Sequence, residues 1–434
     1  MCRDIEEINR VVFIVDSISA IEVLDSRGNP TIEARVVLND KTVGRFIAPS
    51  GASVGIHEAV AKRDSDGFSV RDVINDGLAK IRSLHGMRFS SQWEFDAVLA
   101  SIDGSTNKSI LGGNFCIAVS VAFCVACASK QNLHISNYVD SLMRSKGYVA
   151  EDRKNKCTPM MNVINGGVHA IGGLDFQEIM ITPIAFNTMS EKIIVGAKIF
   201  HKLREIFKER GYSTNVGDEG GVSFSNGSTM KALGILNEAI EKAGYNRNSV
   251  KISLDVAASN FCKVENGCFL YNLSEINKAL SSEELCQFYC DIVKECGNIL
   301  SIEDPFHEED EAGWITIMKR LGDEIMIVGD DLFVTNHKMI SHKKALANAI
   351  IIKPNQIGLL SEAIEAVILA KFNSMMLIFS HRSGDTEEPT IADIAFGCGS
   401  DFVKFGAPCR GERISKYNQL LRICYESDYN KEFF

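Results

Sequence analysis

The stretch that decides the fold is residues 299–406, where short apolar runs each end on a chemically active side chain. The runs are ILSIED (299–304), EIMIVGDD (324–331), NAIIIKPN (348–355), MMLIFSH (375–381) and DFVKFG (401–406), and KISLDV (251–256) upstream has the same form. Taken at Glu303, Asp330, Lys353, His381 and Lys404, the spacings are 27, 23, 28 and 23 residues, each the length of one strand plus one helix. Residues 281–296, 359–372 and 390–396 lie between the runs and carry apolar residues at helical spacing. Strands that alternate with helices predict a parallel sheet. Runs that are almost continuously apolar predict strands buried on both faces. Polar residues gathered at strand C-terminal ends point to a (β/α) barrel, whose active sites lie at that rim. An open doubly wound sheet is the alternative, and no GxGxxG follows a strand to support its dinucleotide-binding version.

Upstream the texture changes. Between Ser17 and Phe46 short alternating stretches are broken by Gly28, Asn29, Pro30 and the Asn39-Asp40 turn, which predicts antiparallel strands. Helical patterning follows over 70–84, 93–102 and 114–130. The expected organisation is a small α+β domain over 1–150, a charged surface link over 144–156, and the barrel over 151–434. The apolar run from Phe115 to Ala128 is too short to span a bilayer and contains Ser120, so a buried helix is expected. Asp4, Glu6 and Glu7 stand where a signal peptide carries positive charge, which predicts a cytoplasmic protein.

Composition narrows the function classes. Of 434 residues, 45% are hydrophobic and 24% charged, which excludes disordered and fibrous classes. The 46 basic and 56 acidic residues leave a formal charge of -10, without the basic footprint of a nucleic-acid binder. An anionic substrate then requires cations gathered locally, and bound metal ions are one way to gather them. The 13 cysteines form one CxxC, Cys124 and Cys127, with no second pair to complete a zinc site, so buried thiols in a reducing compartment are expected.

Asp255, Glu303 and Asp330 end three strands, so a barrel directs them at one centre. Three converging carboxylates repel one another unless a cation lies between them, and hard oxygen ligands suit Mg²⁺. Lys353 and Lys404 end two further strands, where dications and barrel walls would lower an ammonium pKa and make a lysine base. Glycine-rich loops supply the rest: Ser50 to Gly55 as a mobile lid, Asn165 to Gly173, and Gly217 to Gly221 with Asp218 and Glu219. His381, Arg382 and Ser383 form a cationic fork suited to phosphate. Gln177 and Glu178 close an apolar-flanked segment, where an acid needs a reason to be buried.

Taken in order, SGASVG, NVINGGVHA, QE, GDEGG, LDVAAS, SIEDPF, GDDLFVTN, IIIKPNQIG, SHRSGDT and KFGAP closely resemble the enolase family, over almost the whole chain from Asp25 to Arg422. The resemblance implies reversible dehydration of 2-phosphoglycerate to phosphoenolpyruvate in glycolysis, with two Mg²⁺ per active site. It implies Asp255, Glu303 and Asp330 as ligands of the first magnesium and Ser53 as the lid residue reaching the second. Lys353 is implied as the base at C2 and Glu219 as the acid at the C3 hydroxyl, with Glu178, His169 and His381 nearby. Arg382 and Ser383 are implied at the phosphate, and Lys404 and Gln177 at the carboxylate. A homodimer or higher homo-oligomer is implied as well.

The family also includes members that act at the cell surface as plasminogen receptors or as scaffolds in RNA-degrading complexes. This chain lacks the C-terminal lysine pair some of the former use. Another superfamily member, such as an acid-sugar dehydratase, would share the metal acids but lack SGAS and SHRSG. The chain departs from the usual family pattern at Gly113, Phe115, Val54, Asp385, Pro389 and Phe405, none of them a residue with an implied chemical role.

Overall fold

The structure, a computed structural model, describes residues 11–51, 55, 57–149, 156–167, 174–225 and 227–429. An antiparallel sheet organises the first part, with β1 (Phe13–Leu24), β2 (Pro30–Leu38), β3 (Val43–Ile47) and β4 (Arg88–Phe89) in the order β3-β2-β1-β4. The turn between β1 and β2 follows from Asp25, whose Oδ1 accepts the backbone N–H of both Arg27 and Asn29 at 2.9 Å, while Gly28 takes φ 78°. Four helices follow: α1 (Arg71–Lys80), α2 (Gln92–Asp103), α3 (Gly113–Lys130) and α4 (Ile135–Ser145). α3 is apolar all round because it is buried inside the fold, 78% of its apolar window being covered. Its Ser120 Oγ accepts the N–H of Leu360 at 3.1 Å, so the polar group in the run is satisfied by the other part of the chain. Among the described cysteines, seven are buried free thiols as expected, while Cys262, Cys290, Cys409 and Cys424 are half-buried and Cys268 is exposed.

The second part opens with β5 (Thr158–Pro159), β6 (Met161–Asn165) and β7 (Glu178–Pro183). It continues through α5 (Met189–Glu209), β8 (Val222–Ser223), α6 (Thr229–Lys242) and β9 (Val250–Asp255). A small antiparallel sheet of β10 (Cys262–Glu265), β11 (Cys268–Leu273) and β12 (Lys278–Leu280) intervenes. Then strands and helices alternate: α7 (Ser282–Cys296), β13 (Ile299–Glu303), α8 (Glu311–Leu321), β14 (Met326–Gly329), α9 (His337–Lys343) and β15 (Ala349–Ile352). The last elements are α10 (Pro354–Ile357), α11 (Leu360–Phe372), β16 (Met376–Ser380), α12 (Thr390–Gly397), β17 (Phe402–Lys404) and α13 (Gly411–Tyr429).

The large sheet runs β5-β17-β16-β15-β14-β13-β9-β7-β6-β8. β5 and β6 are one stretch of chain interrupted at Met160; β5 pairs with β17 and β6 with β7, so the sheet returns on itself as a barrel. The expectation of an all-parallel sheet is corrected at one stave: β7 is antiparallel to both β6 and β9. An apolar run reports that a strand is buried, and carries no information on its direction.

Strand alternation positions the site. Ala349 and Ile351 of β15 join Met160, Met180, Met326, Val328 and Ile378 in a cluster inside the barrel, while Ile350 and Ile352 join the larger core. Two residues beyond Ile351, the inward direction belongs to Lys353. The same alternation takes Val328 to Asp330 and Ile378 to Ser380, so the apolar floor gives way to a polar rim at the strand ends. The first sheet docks over this rim: Ser50 and Gly384 exchange two backbone hydrogen bonds of 2.7 and 2.9 Å, and Ser26 N donates to Asp385 O at 2.7 Å.

Candidate active site

Register brings the first group of acids together. Asp255 lies opposite Glu303 in the parallel pair β9–β13 and opposite Glu178 in the antiparallel pair β7–β9. Because β7 runs backwards, it delivers its first residue to the rim where its neighbours deliver their last. The Lys404 ammonium sits among them, 2.7 Å from Asp255 Oδ2, 2.9 Å from Glu303 Oε2 and 3.3 Å from Glu178 Oε1. Burial alone would depress this lysine, but Asp255, Glu178 and Glu303 outweigh it and hold its pKa well above the ordinary value. Burial and then Glu219 push Glu178 well up, and burial and then Asp255 push Glu303 up to about 8, with Lys404 opposing both. Removing one partner of a buried ion pair costs about 3–5 kcal/mol. Lys404→Met is therefore expected to lower the thermal midpoint of the chelator-treated protein by several degrees, read by calorimetry; an unchanged midpoint would show that Lys404 is not the balancing charge.

A second group forms around Asp330. Lys353 Nζ donates to Asp330 Oδ2, and Gln356 Nε2 donates to Oδ1 at 3.0 Å. The expected lowering of the lysine pKa presupposes neighbouring dications; among the protein groups alone the balance is the opposite. Burial does push Lys353 down, but the Asp330 carboxylate against it wins, and its pKa lies above the ordinary value. Burial pushes Asp330 up, Lys353 pulls it down, and the result is below the usual carboxylate value. Asp304 holds this turn. Its φ of 41° breaks the alternation after Glu303, and its two carboxylate oxygens accept the N–H of Asp330 and of Asp331 at 2.9 Å each. Among the described residues, the acids whose oxygens all lie within 4.8 Å of one another are Asp304, Asp330 and Asp331. Asp255 and Glu303 stand across from Asp330 with the two lysine ammoniums among them.

The third group comes from loops. In Gly217 to Gly221 the chain is pinned by Ala407 N donating to Glu219 O at 2.9 Å. A Cβ on Gly221 would fall 2.1 Å from Asn165 Oδ1, which is why glycine stands there. Glu219 Oε2 accepts from Asn162 Nδ2 at 3.0 Å and lies 3.3 Å from His381 Nε2. Arg382 Nη1 and Nη2 donate to the two oxygens of Glu58 at 3.1 and 3.2 Å, a bidentate pair across the two parts of the chain, and Nη1 also donates to Asn355 Oδ1. Gln177 Nε2 reaches Asp255 Oδ2 at 3.4 Å.

One cleft is lined by Gln177, Glu178, Glu219, Asp255, Asp330, Lys353, His381, Arg382, Ser383 and Lys404. Glu303 adjoins it through Lys404. Ser53, His169 and the departure Val54 lie outside the described residues; at Gly55, next to Val54, an added Cβ would fall 3.1 Å from Asp331 Oδ1. The departure Asp385 is accommodated by Lys416 at 2.8 Å and by the N–H of Arg382, and Phe405 is buried against Tyr417. Glu58, Asn162, Asp304 and Asp331 take part without having been singled out from the sequence. Asp304 and Asp331 each stand next to a singled-out acid, and Glu58 follows a glycine-rich loop, which are the signals that were there.

A barrel whose rim interleaves buried carboxylates with two lysines, beside an arginine fork, defines a class: a cation-assisted acid–base enzyme acting on a small anionic substrate. Residues 155–433 match the family model described as the enolase C-terminal TIM barrel domain, and residues 15–139 match the enolase N-terminal domain. The chain belongs to the enolase family, the phosphopyruvate hydratases, which are hydro-lyases. A relative named enolase from a Nitratiruptor species is 43% identical over 432 residues, covering 97% of this chain and 99% of its own. Another enolase, from Corynebacterium kroppenstedtii, is 42% identical over 420 residues, covering 94% of each chain.

Proposed function

We propose that this cleft converts 2-phosphoglycerate to phosphoenolpyruvate with Lys353 as the base and Glu219 as the acid. The observation that carries the reading is that the two groups line one cleft with different partners. Lys353 belongs to the Asp330 pole of the cleft and Glu219 to the His381 pole, so a substrate between them meets a proton acceptor on one side and a donor on the other. Lys353 Nζ takes the proton from C2, the C2–C3 double bond forms, and the C3 hydroxyl takes the Glu219 proton and leaves as water. Arg382 and Ser383 hold the phosphate, and Lys404 and Gln177 stand at the carboxylate end, where the second negative charge develops. His381 and Glu178 flank the acid, and Ser53 and His169 are assigned to the lid and loop on the resemblance.

Members of the family use magnesium. The donor set fits a hard dication. Buried carboxylates outnumber the two lysines, and burial with neighbouring acids pushes Glu303 to about 8 and Asp331 to about 7, a sign of negative charge in excess of its compensation. Asp255, Glu303 and Asp330 would hold the first ion and Ser53 would reach the second. Bound there, magnesium supplies positive charge that offsets these acids and the charge developing on substrate. With Asp330 so offset, the main influence holding Lys353 protonated would weaken, which is what a lysine base at C2 requires.

Magnesium that binds the folded chain at 100 times its Kd stabilises it by about 2.7 kcal/mol. Added Mg²⁺ is expected to raise the thermal midpoint of the wild type and to leave that of Asp255→Asn or Glu303→Gln almost unchanged. An equal rise in both variants would overturn the ligand assignment. The reaction itself is tested by ultraviolet absorbance of the enol phosphate, expected with Mg²⁺ and abolished by chelator. No product under any divalent cation would overturn the reading. A cytoplasmic location and a homodimer or higher homo-oligomer are proposed on the sequence resemblance alone.

A further inference from the structure

We propose that Arg413, on α13, is a positioning residue for the acid side of the reaction: its guanidinium fixes His381 in the tautomer protonated on Nε2 and places that nitrogen beside Glu219. The inference rests on Glu219 being the proton donor. Arg413 Nη1 lies 2.7 Å from His381 Nδ1. A guanidinium has donors and no acceptor, so Nδ1 at this distance must present its lone pair. A neutral imidazole then carries its proton on Nε2, 3.3 Å from Glu219 Oε2. That oxygen also accepts from Asn162 Nδ2 at 3.0 Å. With Asn162 donating to Oε2, the proton of the neutral acid is left to Oε1.

Arg413 is fully buried, and its remaining contacts show why an arginine stands there. Nη1 donates to Arg382 O at 2.6 Å, and Nη2 donates to Ser383 O at 2.6 Å and Asp218 O at 3.0 Å. One rigid fork therefore ties the loop that carries Glu219 to the loop that carries Arg382 and Ser383, and sets the histidine between them. A lysine has one nitrogen and cannot span both loops. The groups facing His381 include Glu219, Arg413 and Asp385; those facing Glu219 include His381, Asn162, Glu178, Lys404 and Tyr417. Burial drives His381 down, Glu219 opposes and Arg413 adds to the lowering, leaving its pKa at about 4.

The test is ¹⁵N spectroscopy of the full-length protein labelled at histidine, with His381 assigned by the signal lost in His381→Gln. The wild type is expected to show a pyridine-like Nδ1, a protonated Nε2 and no titration over roughly pH 5–9, a range that spans the ordinary imidazole value. Arg413→Met is expected to lose the fixed pyridine-like Nδ1 signature and to lower kcat by about 10²-fold, the size associated with misplacing a catalytic group by about 1 Å, with KM little changed. A wild-type His381 protonated on Nδ1, or titrating near its ordinary value, would overturn the proposal even if the variant failed to fold. So would a folded Arg413→Met with the wild-type signature. Wild-type turnover by Glu219→Gln would overturn the acid assignment and with it the catalytic role of Arg413. An inactive Glu219→Gln beside an Nδ1-protonated His381 would overturn the role of Arg413 alone.

Discussion

Lys353→Ala is expected to lower turnover by about 10⁴-fold, the upper range for a general base, while the protein stays folded. The loss corresponds to about 5.4 kcal/mol of transition-state stabilisation. The residue stands at the end of β15, directed inward by the alternation that puts Ile351 in the barrel floor. Its ammonium pairs with Asp330 at the rim. Asp330 keeps Gln356 as a donor in the variant, so the turn at residues 330–331 retains its hydrogen bonds. Circular dichroism and KM should therefore change little, while the thermal midpoint falls by several degrees because Asp330 loses its buried charge partner. Turnover within tenfold of wild type would remove Lys353 from the role of base.

Glu219→Gln is expected to lower turnover by about 10²–10⁴-fold, the range for loss of a positioned proton donor. The substitution keeps the size of the side chain and removes the proton it delivers to the leaving hydroxyl. Asn162 and the Ala407 N–H to Glu219 O hold the loop on the side chain and backbone respectively, and the second of these survives any substitution. Steady-state kinetics with product absorbance distinguishes the outcomes. A fall in kcat with KM preserved is expected, and a rise in KM alone would make Glu219 a binding residue instead.

How much of this was legible in the sequence depends on whether the signal was local. The strand-end positions of Asp255, Glu303, Asp330, Lys353, His381 and Lys404 were legible because period-two alternation and burial on both faces write themselves into short apolar runs. The reversal of β7 was not, since its run reads the same in either direction, and the strands β10 to β12 were missed because they are partly exposed and carry no continuous apolar run.

The electrostatics were the least legible part. The raised pKa of Lys353 comes from Asp330, 23 residues away in sequence, and the sequence reading assumed a dication where the protein alone presents a carboxylate. Arg382 read as a phosphate fork, but its partner Glu58 lies 324 residues away and no local pattern couples the two. Arg413 sits in a helix whose sequence looks ordinary, and it became visible as an organiser when the fold placed His381 and two loop carbonyls around it. Asp304 was passed over because alternation assigns it to the opposite face from Glu303, and a left-handed backbone returns it to the rim.

The measurement that tests the account most directly is loss of deuterium from [2-²H]-2-phosphoglycerate to water, followed by NMR with Mg²⁺ for the wild type, Lys353→Ala and Glu219→Gln. Removal of the C2 proton is assigned to Lys353 and departure of the hydroxyl to Glu219, so the two variants should separate. Glu219→Gln is predicted to wash out deuterium while forming almost no phosphoenolpyruvate, and Lys353→Ala to do neither. Deuterium loss by Lys353→Ala at the wild-type rate would contradict the assignment of the base, and with it the central claim.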